Sequence, residues 1–228
     1  MRRAFLLFLA VLIAGCCILR REARVVSCAA VAGVPEKRWI LIELDLKRLT
    51  LYEGTQAIKR YPIASGAWET PSPIGAFMIN GRFMTEMSGF GTRFLSLNVP
   101  WGKYGIHGTN RPESIGGNVS HGCIRMRVKD AEELYGKAPN GTRVYIEGGP
   151  YGLLGDSLRI LRPGDRCSHV QAVQRRLGQN GFYYGSADGV YGAATSRAVL
   201  AARKAFGLSP EDVVDGALYS KLGIILFE

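Results

Sequence analysis

The segment from Tyr104 to Met126, YGIHGTNRPESIGGNVSHGCIRM, gathers the residues most able to do chemistry. The chain has three histidines, and two of them, His107 and His121, lie within sixteen residues of Cys123. A cysteine becomes a nucleophile when its thiolate is favoured, and a nearby imidazole can accept the proton and then attract the anion. His107 is therefore expected to lower the pKa of Cys123 and to hold thiolate at lower pH than a free thiol does. Glycines at 105, 108, 116, 117 and 122 let the backbone approach a substrate and leave N–H groups for an oxyanion. The reaction class that uses these parts is acyl transfer through a thioester. Three N/S ligands would also suit zinc, but the next donors in sequence, Glu113 and Cys167, follow no zinc spacing, so no metal or organic cofactor is expected.

Elements that must position these residues are legible on both sides. From Arg38 onward, short alternating apolar runs predict strands at Trp39–Leu44, Leu49–Tyr52, Gln56–Ser65, Gly75–Asn80, Phe94–Val99 and Arg143–Glu147. Thr70-Pro71-Ser72-Pro73 reads as a loop stiffened by two prolines, and Gly81–Gly91 as either a mobile flap or an ordinary surface loop. One helix is predicted at Val128–Tyr135, where Asp130, Glu132 and Glu133 favour a helix start. After Asp156 the apolar period changes to about 3.6. Val170, Val173 and Leu177 share one helical face, and Ala198, Val199, Ala202 and Phe206 another. A third short helix is expected at Ala217–Leu222. The expected fold is thus a mainly β domain with a short helix, over 38–148, a linker at 149–156, and a small three-helix domain over 157–225.

Composition bounds the class. The 228 residues are 47% hydrophobic and 21% charged, enough to build a core, and the net charge is +10. A basic chain suits an anionic polymer or surface, but a nucleic-acid partner is not expected, because no basic stripe interleaved with aromatics is present. Residues 1–30 read as a signal peptide or membrane anchor: Arg2 and Arg3 precede the uncharged run Ala4–Leu19, which Arg20 and Arg21 close. Cleavage near Ser27-Cys28-Ala29-Ala30, lipidation of Cys16 after Ile13-Ala14-Gly15, and an uncleaved anchor all remain open. Each places the remainder outside the cytoplasm. With Cys16, Cys17 and Cys28 in that leader, only Cys123 and Cys167 fall in the folded part, where they either pair or stay free. Cys167 reads as a small apolar residue and His169 as a surface residue.

His107-Gly108-Thr109 followed by Ser120-His121-Gly122-Cys123-Ile124-Arg125-Met126 resembles the signature of the L,D-transpeptidase catalytic domain. Ile63-Ala64-Ser65-Gly66 and Thr70 to Phe77 are similar to the strand and loop that enter the same family's site. The C-terminal part resembles the small peptidoglycan-binding domain, through Leu161 to Asp165, Val170 to Leu177, Gly181-Phe182-Tyr183 and Asp188 to Gly192. Where that family has an aromatic-Gln pair late in its second helix, this chain has Arg203-Lys204-Ala205-Phe206.

The resemblance implies a β-sandwich with Cys123 as nucleophile and His107 as base. Gly108 would orient His107 through its carbonyl. Ser120, His121 and Gly122 would shape the pocket, the amides of Gly122 and Cys123 serving as oxyanion donors, and Arg125 would hold a substrate carboxylate or steady the cysteine loop. The implied reaction joins peptidoglycan stem peptides and releases D-alanine from a tetrapeptide. Its partners would be stem peptides, glycan strands and, through the N-terminal segment, the membrane, and its location the bacterial cell envelope. With water or a D-amino acid as acceptor, the same fold would act as an L,D-carboxypeptidase or an exchange enzyme. A non-catalytic wall-binding protein is the remaining alternative. The aromatics Phe182, Tyr183 and Tyr184 either pack the small domain or stack on sugars.

Overall fold

A computed structural model describes residues 38–86, 89–149, 152–155 and 157–224, so the N-terminal leader and part of the linker lie outside the described residues. The chain runs β1 (Trp39–Glu43), β2 (Arg48–Glu53), β3 (Gln56–Pro62), β4 (Ser65–Gly66), β5 (Gly75–Met84), β6 (Arg93–Leu97), β7 (Tyr104–Thr109), β8 (Asn118–Ser120) and β9 (Ile124–Arg127). The later elements are α1 (Val128–Lys137), β10 (Arg143–Glu147), α2 (Ser168–Gln179), α3 (Ala193–Ala205) and α4 (Gly216–Lys221). The mainly β first part and helical second part agree with the sequence reading.

Eight strands form one sheet in the order β3-β2-β1-β10-β5-β6-β7-β9, and β4 pairs with β8 in a separate ribbon. β5 is shared between two halves: Gly75–Met78 pairs with β10, and the stretch from Ile79 to Met84 with β6. Both halves feed one core, which includes Ile40, Ile42, Leu49 and Leu51 from one and Leu95, Ile106, Ile124 and Met126 from the other. Helix α1 adds Ala131 and Leu134 to it. Glu133 ties that helix to β3 through Lys59 at 2.5 Å and takes an i,i+4 partner, Lys137, at 2.6 Å.

Two expectations need correction. Gln56–Ser65 is not continuous: β3 ends at Pro62, and the chain steps at Ile63-Ala64 to the other ribbon. The first four residues of the expected flap or loop are strand, since Gly81–Met84 extends β5. The glycine-rich stretch around His107 is itself a strand, β7, with everything from Gly105 to Thr109 buried. No alternation is visible there because both faces are covered, by the core on one side and by Phe90 and Phe94 on the other.

In the helical region, Val170, Val173, Leu177, Ala198, Val199, Ala202, Leu218 and Tyr219 make a second core. Phe182 packs edge-on against Phe206 and Tyr183 is buried, whereas Tyr184 is 91% exposed. His169 is buried with Nε2 at 2.9 Å from the Ser157 carbonyl, so it is not the surface residue its sequence context implied. The side chain of Gln174 is a buried hub: Oε1 accepts from the Gly189 amide at 2.8 Å, and Nε2 donates to Asp188 at 2.8 Å and Thr195 at 3.0 Å. Arg203, at the point where the sequence leaves its relatives' pattern, is only 2% exposed. Its guanidinium bonds the carbonyl and hydroxyl of Ser209 at 2.7 and 2.8 Å and pairs with Asp215 at 3.1 Å. Asp215 in turn accepts the Leu218 amide at the start of α4.

The helical region is docked on the β part. The Ile74 amide donates to Ser168 Oγ at 2.7 Å in a buried contact. Gly189, at φ +75°, lies so close to Trp101 that a Cβ there would stand 2.4 Å from the indole. Arg203→Met should lower stability by about 3 kcal/mol, because a buried charged hydrogen-bond hub is replaced by a thioether and its acceptors lose their donor. A urea midpoint matching that of the parent would show that Arg203 is not the anchor of the 207–215 turn.

Candidate active site

β7 and β9 run parallel with His107 beside Arg125 and Ile106 beside Ile124. Cys123 immediately precedes β9, and the Gly105 amide on β7, two residues before His107, reaches its thiol. Ile106 and Ile124 face the core. Sequence-distant groups thus meet through register.

His107 Nδ1 lies 2.5 Å from the carbonyl oxygen of Gly108. A carbonyl only accepts, so Nδ1 carries the proton and Nε2 is left with its lone pair free to act as a base. The carbonyl role expected at position 108 is filled by glycine. The ring stacks on Phe94 with centroids 5.8 Å apart and meets the edge of Phe90 at 4.8 Å. Burial among these rings pushes the imidazole pKa down, the Gly108 carbonyl opposes this, and the Arg125 charge adds to it. The resting imidazole is neutral.

The thiol of Cys123 is free and half-buried. Burial pushes its pKa up, while the Gly105 amide and the Arg125 charge pull it down, and burial wins. The expectation of a thiolate at lowered pH is therefore corrected. His107 held neutral by its apolar walls supplies no positive field, and both partners rest uncharged.

Ser120 organises the turn that carries Cys123. Its hydroxyl donates to the Cys123 carbonyl at 2.6 Å and accepts from the Gly122 amide at 3.0 Å. The Gly122 amide is thereby engaged by Ser120 in this structure. Gly122 has φ +103°, and a Cβ there would fall 2.5 Å from the Tyr104 ring, so this turn admits only glycine. Ser120 is itself fixed through its carbonyl, which accepts from the Ala67 amide and from Thr70 Oγ1, both at 2.9 Å. The proline-stiffened loop is thus the outer brace of the cysteine turn.

Arg125 exchanges two backbone bonds of 2.9 Å with Ala64, joining the approach strand to β9. Its side chain is half-buried, and Nε is buried without a hydrogen-bond partner. Arg127 and His121 are exposed. Tyr104, whose hydroxyl burial raises in pKa, packs on Gly122 and was missed in the sequence because its strand was hidden among glycines. Cys167 is also a free, half-buried thiol. Among the described residues, no three His, Cys, Asp or Glu side chains gather as a metal site.

Residues 37–146 match the family model of the L,D-transpeptidase catalytic domain, and residues 168–222 match that of the "Putative peptidoglycan binding domain". The protein described as "Putative L,D-transpeptidase YqjB" of Bacillus subtilis is 58% identical over 128 residues, covering 50% of this chain and 73% of that one. The chain belongs to the L,D-transpeptidase family. A further member, "Putative L,D-transpeptidase YkuD" of Bacillus licheniformis, is 48% identical over 107 residues, which is 47% of this chain and 64% of that protein. The match therefore spans less than two thirds of that relative's length. The solved catalytic domain of the Enterococcus faecium L,D-transpeptidase aligns with 50% of this chain and 99% of that one, at 24% identity and a TM-score of 0.43.

In this L,D-transpeptidase family member, alkylation of Cys123 by iodoacetamide should rise with pH through an inflection above the ordinary thiol value of about 8.5. Arg125→Gln removes a charge that lowers both pKa values, so the inflections of Cys123 and His107 should both move upward. An inflection well below that of a free thiol in the parent would mean that an ion pair is already formed.

Proposed function

We propose that this chain is a cysteine-dependent L,D-transpeptidase that cross-links peptidoglycan stem peptides in the bacterial cell envelope. The observation that carries the reading is His107, protonated at Nδ1 against Gly108 and basic at Nε2, on the strand whose Gly105 amide meets the Cys123 thiol. That is the arrangement a neutral thiol needs at the moment of attack.

In the proposed sequence His107 Nε2 takes the thiol proton as Cys123 Sγ bonds to the carbonyl carbon of the L,D bond in a tetrapeptide stem. Charge on the carbonyl oxygen is met by the Cys123 amide, with the Gly122 amide kept by Ser120 as a brace. The C–N bond breaks, the imidazolium returns its proton to the departing D-alanine amine, and a thioester remains. An acceptor amine then attacks the thioester, His107 takes its proton, and that proton returns to sulfur. Arg125, with its unpartnered Nε and its fork of donors, is assigned to a substrate carboxylate. His121, exposed at the entrance, would contact substrate and not the nucleophile.

The helical region is assigned to wall binding, and residues 1–30 to export. No described helix is long and apolar enough to cross a membrane.

Incubating the chain with a disaccharide tetrapeptide should give a covalent adduct on Cys123, loss of D-alanine and a cross-linked dimer by mass spectrometry. Cys123→Ala should abolish all three, and His107→Ala should slow adduct formation by about 10²- to 10⁴-fold. D-alanine release without dimer would make the enzyme a carboxypeptidase, and a folded, reduced chain forming no adduct would leave only wall binding.

A further inference from the structure

A cleft of about 440 Å³ opens where the helical region meets the β part, on the side of the β4–β8 ribbon. Its walls come from the β1–β2 turn, from β4 and the loop after it, from Asn118 and from the segment around Arg159. A second hollow of about 190 Å³ shares Glu69, Pro71 and Arg159 with the first and continues along the helical region to Asp165, Arg166 and Cys167. Together they make an elongated groove that crosses both parts of the chain.

The chemistry of this groove is specific. The first hollow carries Asp45 and Glu69 against Lys47 and Arg159, and the second adds Asp165 against Arg166. Opposite charges are matched along its length, so it favours neither a polyanion nor a polycation. Trp68 stands in its wall with 59% of its surface exposed. The Arg159 guanidinium lies 4.6 Å from the indole centroid and bonds the Trp68 carbonyl. Arg159 thus covers one ring face and holds the backbone at Trp68, while 59% of the residue stays exposed. A fixed, open indole among side chains offering both donors and acceptors suits a ligand with an apolar C–H face and a rim of hydroxyl and amide groups.

The geometry points to this groove as a binding site for a neutral hexosamine polysaccharide strand, with Trp68 as its stacking platform. The inference rests on the peptidoglycan reading above and gives its glycan a place outside the catalytic pocket. The floor of the groove is also mechanically continuous with the site. Ser65 pairs with Asn118 and Gly66 with Ser120 across the ribbon, and Ser65 Oγ bonds Asn118 Oδ1 at 2.7 Å. Ser120 is the residue that holds the Cys123 turn. A strand lying in the groove would therefore rest on the ribbon that ends at the nucleophile.

The test is calorimetric titration of the full chain with tetra-N-acetylglucosamine, a glycan without peptide. Saturable binding is expected, about tenfold weaker in Trp68→Ala, the scale of one lost aromatic contact, and retained in Trp68→Tyr. Absence of binding in the parent would overturn the proposal. So would loss of binding in Tyr184→Ala with Trp68→Ala unaffected, which would put the glycan on the outer face of the helices. Competition by polyglutamate at matched ionic strength would likewise overturn it, since a charge-matched groove has no use for a polyanion. Cys123 acylation by a tetrapeptide lacking sugar is measured alongside. A chain that acylates but does not bind glycan removes the groove alone, and one that binds glycan but does not acylate removes the catalytic reading alone.

Discussion

Everything at the catalytic end depends on the parallel pairing of β7 with β9. That register puts His107 level with Arg125, with Cys123 immediately before β9. A slip by one residue would turn Arg125 toward the core and bring Ile124 out to solvent. Two features resist the slip. Ile106 and Ile124 anchor the inner face in the core, and the Ala64–Arg125 exchange of hydrogen bonds fixes β9 from its other edge. The braces outside the sheet serve the same register, because Thr70 and Ala67 hold Ser120, and Ser120 holds the turn that delivers Cys123.

The site's electrostatics stem from how dry it is. Burial opposes charge on sulfur and imidazole alike, so the resting state is a neutral pair and not a preformed ion pair. Arg125 acts on both in the useful direction, easing loss of the thiol proton and keeping the imidazole unprotonated and ready. The aromatic wall of Phe90 and Phe94 is what makes the imidazole a neutral base, and the Gly108 carbonyl decides which nitrogen is free. A thiol of this kind spends little time as thiolate, which limits its adventitious oxidation.

The one-sided strands were legible in the sequence because their alternation is a direct image of one wet and one dry face. β1, β2 and β10 appear nearly where the pattern placed them. β7 was not legible, since a strand covered on both faces has no alternation, and its glycines imitate a loop. The nucleophile and base came from residue type and clustering, which needs no knowledge of the fold. What sequence could not supply was who bonds whom: that Ser120 occupies the Gly122 amide, that burial outweighs the Gly105 amide and the Arg125 charge at the thiol, and that His169 turns inward to meet Ser157. Arg203 was visible as a departure from its relatives' pattern, but its buried contacts to Ser209 and Asp215 emerge only once the 207–215 turn is folded over it.

The docking of the helical region has a consequence for how such chains can be recombined. Wall-binding segments attached by a free linker can be exchanged like beads, with the catalytic part indifferent to the segment beyond the linker. Here Ser168 takes the Ile74 amide, and Gly189 leaves room for Trp101, whose own chain neighbours lead directly into β7. A replacement segment would need a hydroxyl at its first helix and a residue without Cβ at the equivalent turn. The two parts of this chain are therefore matched to each other, and grafting one onto a foreign partner would leave a buried amide without an acceptor and an indole without a seat.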